Sequence, residues 1–334
     1  MKSRSFKAPG KALLCGEYAV LRGAPAMCVA LNCRAQVTVS KRTETVSIVS
    51  TLGFAEGSWR FKIIDESVAW LDQPPEGVRS LLDAACKKTR LTSCCPAALT
   101  IDTLAFYSPR DKKKLGLGSS SATTVALVAA LQKQSFDIEN IWANSKMVHK
   151  AFQNGRGSGI DIATSCFGGL ITYTSCDTAP PTKTTWPTGL YYQFFYSGIE
   201  ADTIAAIDRA AGVSEKSWNM LIEHARDAAI AWGSGNVEEI LDAMEQYTVS
   251  LRKLDLLYGL NIFGAGHQDL VDLAKTTSLI YKPCGSGGGD IGVALSKTKK
   301  DIQDFSQYAR MKGFMPLDLE IDNNGVIPTI GEKV

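Results

Sequence analysis

Histidine is scarce: His149, His224 and His267 are the three in 334 residues. Scattered so, they give a zinc centre no imidazole cluster to build on. The nine cysteines show no C-x-x-C spacing and sit mostly inside apolar runs such as Ala26-Met-Cys-Val29 and Asp83-Ala-Ala-Cys86. They read as reduced core residues, and the neighbours Cys94-Cys95 are poorly placed to bridge. No apolar run approaches ~20 residues, which excludes a membrane-spanning helix. The opening Met1-Lys-Ser-Arg-Ser-Phe-Lys7 carries charge with no apolar stretch behind it, so no signal peptide is expected and the cytoplasm is the expected compartment. Neither sign of charge dominates: 36 basic and 34 acidic residues leave a net +2. That balance, with no aromatic platform interleaved among basic residues, argues against a nucleic-acid partner. Internal repeats and low-complexity tracts are also missing.

The chain is otherwise that of an ordinary globular protein, 45% hydrophobic and 21% charged. It is long enough for two lobes, since single cores stop growing near ~250–300 residues. Its most informative stretch is Lys114-Leu-Gly-Leu-Gly-Ser-Ser-Ser-Ala122, a glycine-rich loop running straight into the Ala/Leu-rich run to Leu131. Gly116 and Gly118 permit positive φ and close backbone approach, Ser119 is expected to cap the helix, and the run beyond supplies helix propensity. Such a helix start points unpaired N–H groups and the positive end of its dipole at an anion, so the loop reads as a phosphate cradle. No G-K-[ST] follows the glycines, which excludes a Walker loop. A dinucleotide fingerprint fails too, because the strand before it would have to be the charged Arg110-Asp-Lys-Lys-Lys114. That basic cluster is either a solvated loop or, from its place beside the glycines, a phosphate contact. A bland helix start remains the alternative for the cradle itself.

Along the chain, Phe6 to Tyr18 reads as strand, turn and strand, with the turn at Ala8-Pro-Gly-Lys11. Ala26 to Ser40 continues as strand, alternating over Gln36-Val-Thr-Val-Ser40, and hairpin-like runs follow at 46–50 and 58–64. A helix over 76–86 and a strand over 97–102 lead to the cradle. A β-rich opening that meets its long helices late predicts an α+β fold. After the cradle come a helix over 138–152, the glycine turn Asn154-Gly-Arg-Gly-Ser-Gly159, an ordered segment from Ile160 and a strand at 168–173. Thr178-Ala-Pro-Pro-Thr-Lys183 marks a lobe boundary. Beyond it a strand at 191–196, helices within 201–275, strands near Leu279 and at 291–295, a helix over 299–312 and a strand near 317–321 predict an α/β sandwich. The loop Cys284-Gly-Ser-Gly-Gly-Gly-Asp290 has too many glycines for a plain turn and is expected to pack against the cradle or its ligand.

Three glycine-rich segments, Ala8-Pro-Gly-Lys-Ala-Leu-Leu-Cys-Gly-Glu-Tyr18, Gly116-Leu-Gly-Ser-Ser-Ser-Ala122 and Lys282-Pro-Cys-Gly-Ser-Gly-Gly-Gly-Asp290, occur in the order and rough spacing of the GHMP kinases. The chain resembles that family from residue 6 to about residue 320. The resemblance implies a two-lobe fold: an N-terminal α+β nucleotide-binding lobe, residues 1–183, and a C-terminal ferredoxin-like lobe, residues 184–334. Within the family it looks most like the phosphomevalonate kinases, on Tyr18 after Gly-Glu, Lys114 before the loop, Asp290 closing the third segment, and the stretch His149-Lys-Ala-Phe-Gln-Asn-Gly-Arg-Gly-Ser-Gly-Ile-Asp-Ile-Ala163. Two departures, Asp202 where serine is usual and Asn154-Gly-Arg156 for the usual Gly-Lys, fall at the phosphorylated end of the implied acceptor.

That resemblance implies ATP and Mg²⁺ as cofactors and a small phosphorylated, phosphomevalonate-like acceptor, with no nucleic acid or membrane partner, in a monomer or homodimer. Mevalonate kinase, another GHMP small-molecule kinase and a catalytically silent ligand sensor are the rival readings. ATP is expected on Lys114, Gly116, Leu117, Gly118, Ser119, Ser120 and Ser121, with Ser120 as the magnesium ligand. The glutamate that joins this serine in mevalonate kinases aligns with His149. Asp161 is the candidate base, with a helix cap as its plainer role, and Lys11 the cation beside it. Tyr18, Arg156, Ser158, Gly159, Ser286 and Gly287 complete the expected acceptor site.

Overall fold

A computed structural model describes residues 3–89, 91–132, 136–175 and 179–329. Cys176 and Thr178, the first residue of the expected lobe boundary, lie outside the described residues. The strands are β1 (Arg4–Cys15), β2 (Pro25–Lys41), β3 (Ser47–Leu52), β4 (Gly57–Ile64), β5 (Ser67–Trp70), β6 (Ala97–Asp102), β7 (Leu170–Thr174), β8 (Thr182–Thr184), β9 (Tyr191–Tyr196), β10 (Leu279–Pro283), β11 (Ile291–Ser296), β12 (Met315–Leu317) and β13 (Ile327–Pro328). The helices are α1 (Glu76–Lys88), α2 (Leu91–Cys94), α3 (Ser119–Leu131), α4 (Ile138–Phe152), α5 (Ile160–Phe167), α6 (Thr203–Ala210), α7 (Glu215–Ser234), α8 (Val237–Tyr258), α9 (His267–Ala274) and α10 (Lys299–Met311).

One sheet runs β13-β1-β2-β6-β3-β4-β5, with β7 on the first half of β2 and β8 beyond it. The two halves of β2 differ as their surroundings do. Ala26–Leu31, between β1 and β7 and packed by α3, α5 and α7, is buried throughout. Val37 and Val39 instead alternate with half-exposed neighbours, as a strand with one solvated face should. The second sheet runs β10-β11-β9-β12 with every neighbouring pair antiparallel. With helices crossing from β9 to β10 and from β11 to β12, this is the split βαββαβ order of a ferredoxin-like sandwich. After β12 the chain returns to the first sheet, where Ile321 bridges Leu31 and β13 pairs with β1.

Two local expectations are corrected. Ala8–Lys11 is not a turn: β1 is continuous, and its register on β2 slips between Pro9, opposite Arg34, and Gly10, opposite Leu31. The bulge suits both residues, since proline lacks a ladder donor and Gly10 admits a close neighbour. A Cβ on Gly10 would meet Cys33 Sγ at 2.5 Å and Leu117 O at 2.7 Å. The second correction is at α3, whose N-cap is Gly118 in the left-handed region with no side-chain cap, so Ser119 does not cap it.

Candidate active site

Helix α3 is apolar on every side and buried accordingly, the pattern of a central helix and not of a surface one. Ser120 is its half-exposed exception; Ser119 and Ser121 through Leu131 are buried. The glycine loop therefore ends with a single serine turned to the outside of the core. Ser121 points inward, donating from Oγ to the Gly118 carbonyl at 2.8 Å.

Ser120 faces a cleft of about 550 Å³ that is also lined by Lys11, Tyr18, Lys114, Gly116, Gly118, Arg156, Ser158, Asp161 and Ser286, all singled out from the sequence. Leu117, Ser119, Ser121, Gly159 and Gly287 do not line it. Leu117 is wholly buried, but its carbonyl accepts from the Lys11 N–H at 2.8 Å, which bonds the first glycine segment directly to the second. Gly159 starts α5. Gly287 is pressed onto the Ile262 backbone, where a Cβ would lie 2.3 Å from the carbonyl oxygen.

Asp161 stands in the first turn of α5, with Gly159 as N-cap, so it is no cap; its Oδ1 accepts from the Ile162 N–H at 2.9 Å. Its Oδ2 lies 3.8 Å from Nε2 of the buried His149, and the same nitrogen is 3.4 Å from Ser120 Oγ. His149 thus stands between the serine and the carboxylate. Lys11 lines the same cleft with its aliphatic chain over Gly118, where a Cβ would come within 2.9 Å of Lys11 Cγ. Among the described ion pairs, the partner of Asp161 is His149 and not Lys11. Arg156 projects from the glycine turn, 49% exposed, with Nη1 4.0 Å from Asp208 on α6. Asp202 is engaged as the N-cap of α6, accepting from the Ala205 N–H at 3.0 Å.

The third glycine loop closes the cleft, as expected of it. Tyr18 donates to the Ser286 carbonyl at 2.6 Å, and the Asp290 side chain rests on Gly116. Beneath lies a pair that sequence reasoning missed: Lys282 Nζ is 2.5 Å from Glu17 Oε1, both side chains being almost wholly buried. Tyr247 donates to the other Glu17 oxygen at 3.0 Å, and Lys282 also donates to the Pro283 carbonyl at 2.7 Å. Burial opposes the charge on Lys282, yet Glu17 beside it holds its pKa above the ordinary lysine value. Glu200 and Asp290 also line the cleft unforeseen. The one available signal was position, since Glu17, Lys282 and Asp290 all fall in the first and third glycine segments.

Residues 88–169 match the family described as GHMP kinases N terminal domain. The chain is 29% identical over 361 residues to a phosphomevalonate kinase of Streptomyces sp. strain CL190, covering 93% of this chain and 95% of that one. It is 25% identical to the phosphomevalonate kinase of Saccharolobus solfataricus, covering 94% and 96%. Its fold is like that of Streptococcus pneumoniae phosphomevalonate kinase, solved in complex with phosphomevalonate and AMPPNP. There the TM-score is 0.76 at 19% identity, over 96% of this chain and all of that one.

Proposed function

We propose that this chain, a phosphotransferase of the GHMP kinase family, transfers the γ-phosphoryl group of ATP to 5-phosphomevalonate, giving 5-diphosphomevalonate and ADP. The observation that carries the reading is the convergence of three glycine segments on one cleft, with a carboxylate, a lysine and the start of a buried helix turned into it. The near full-length similarity to phosphomevalonate kinases supports the choice of acceptor. Phosphoryl transfer needs positioning and charge stabilisation more than covalent help. Backbone N–H groups of Gly116 to Ser121, with the α3 dipole behind them, suit the β- and γ-phosphates. Lys11 is suited to steadying the charge in transfer, and Asp161 to orienting the acceptor oxygen and taking its proton. Arg156 and Ser158, in the glycine turn that lines the cleft, suit the phosphate that the acceptor already carries.

Mg²⁺ accompanies ATP in this reading, and the donor set bears on how it would be held. Ser120 offers one oxygen, but its neighbour is an imidazole nitrogen, a poor ligand for a hard cation. Among the described residues no cluster of three acidic, histidine or cysteine groups forms a cage. The residues therefore fit an ion carried mainly by nucleotide phosphates and water, with Ser120 as its protein ligand. Bound there, it would offset the negative charge of the phosphates during transfer. We place the enzyme in the cytoplasm, where buried thiols such as Cys15, Cys28, Cys33, Cys166 and Cys284 stay reduced.

ADP release measured with phosphomevalonate, mevalonate, homoserine and a panel of sugars tests the assignment. Turnover is expected with phosphomevalonate above all others. Turnover with mevalonate but not its phosphate, or release of carbon dioxide from a diphosphorylated acceptor, overturns it.

A further inference from the structure

Asp290 closes a run of glycines, and its own backbone is one that suits glycine: φ is +53°, in the left-handed region. Its carboxyl is half-buried, and burial pushes its pKa up, against the pull of the Ala201 N–H, Lys11 and Lys114. Backbone conformation and desolvation thus both favour a residue without a side chain here. What the carboxylate gains is contact across the cleft. Oδ1 accepts from the Ala201 N–H at 3.1 Å. The other oxygen lies over the phosphate loop, where a Cβ on Gly116 would come within 2.5 Å of Oδ2. The Asp290 backbone binds the same segment twice, donating to the Ile199 carbonyl at 2.7 Å and accepting from Ser197 at 2.9 Å. From the opposite wall, the Lys114 N–H donates to Glu200 Oε1 and Lys113 Nζ to the Gly198 carbonyl, each at 3.0 Å.

We infer that Asp290 is a positioning residue whose carboxylate, hydrogen-bonded to segment 197–201 and packed on Gly116 of the phosphate loop, holds the two walls of the cleft at the spacing that transfer between two bound substrates requires. A small change in that spacing is costly, because a misplacement of about 1 Å between reacting groups can lower the rate by roughly a hundredfold. The inference rests on the phosphomevalonate reading. If that reading fails, the wild-type protein turns over no phosphomevalonate; if this one fails, the variants alone say so.

Two substitutions separate backbone, hydrogen bond and charge. Asp290→Gly keeps the left-handed backbone and removes the side chain, while Asp290→Asn tolerates that backbone and keeps an acceptor for Ala201 without the charge. Each is measured for melting temperature, for binding of a non-hydrolysable ATP analogue, and for kcat and KM with phosphomevalonate. For Asp290→Gly we expect a melting temperature at or above wild type and analogue affinity within about threefold. Its kcat/KM for phosphomevalonate should fall roughly tenfold to a hundredfold. Asp290→Asn should recover most of the loss. Unchanged kcat/KM in Asp290→Gly overturns the assignment, as does a melting temperature well below wild type, which makes the residue merely structural. Equal losses in analogue binding and kcat/KM overturn it in favour of direct action on the nucleotide, and an asparagine variant as poor as the glycine one overturns it in favour of charge.

Discussion

Among the described residues Asp161 shows no structural task that explains it: Gly159 starts its helix, and its close hydrogen bond is to the adjacent Ile162 N–H. A carboxylate so placed, facing a cleft beside a phosphate loop, is suited to orienting an acceptor hydroxyl. Asp161→Asn keeps its size and removes its charge, so the variant is expected to melt like the wild type yet lose roughly 10²- to 10⁴-fold in kcat. Steady-state kinetics beside thermal melts check this; near wild-type turnover would remove Asp161 from the chemistry. The sequence singled it out because an aspartate after a glycine turn is a local pattern. Its nearest partner was not legible, since His149 reaches it from another helix, α4.

At the scale of the elements, the third glycine loop is anchored by a contact with a pH signature. His267, at the start of α9, has Nε2 3.0 Å from the Gly289 carbonyl and Nδ1 2.8 Å from the Tyr281 hydroxyl. A carbonyl can only accept, so the proton sits on Nε2 and the neutral ring takes the tyrosine hydrogen on Nδ1. Burial pushes this imidazole from 6.5 down to about 4, with Lys282 adding to the effect and Gly289 opposing it. The depressed pKa means that the unfolded chain binds more protons between those values. The stabilisation is therefore complete above pH 6.5, is lost as pH falls toward 4, and amounts to about 3 kcal/mol. Melting temperatures taken from about pH 8 to about pH 4.5 should decline through that window, and His267→Gln, lower at neutral pH, should show a flatter profile. Parallel profiles for the two proteins would show that another group governs the loss. The element itself was readable as a glycine-dense loop, whereas its anchor 22 residues upstream was not.

At the scale of the molecule, the first and third glycine segments are joined by a buried charge pair, Glu17 with Lys282. Removing one partner leaves an uncompensated charge in the interior, whereas removing both leaves a polar contact of ordinary cost. Lys282→Met is expected to cost about 3–5 kcal/mol, and adding Glu17→Gln, which still accepts from Tyr247, should recover more than half of that. Denaturant melts of the two single variants and the double one measure it. Simple additivity of the losses would show that the pair is not coupled.

What the sequence by itself determined is what short-range chemistry can carry. The glycine segments and their order, the apolar helix behind the cradle, the bounds of strands such as 97–102 and 191–196, and the split between a β-rich opening and a later sandwich are all written in patterns a few residues long. The tertiary structure decided the rest, because it depended on which distant segments come into contact. Ala8–Lys11 looks like a turn in isolation, yet between β2 and Leu117 it is held extended with a bulge. Of three consecutive serines, the packing of α3 turns Ser120 alone to the cleft. Glu17 and Lys282 look like two ordinary surface charges until folding brings them within 2.5 Å and takes both out of water, which makes each depend on the other.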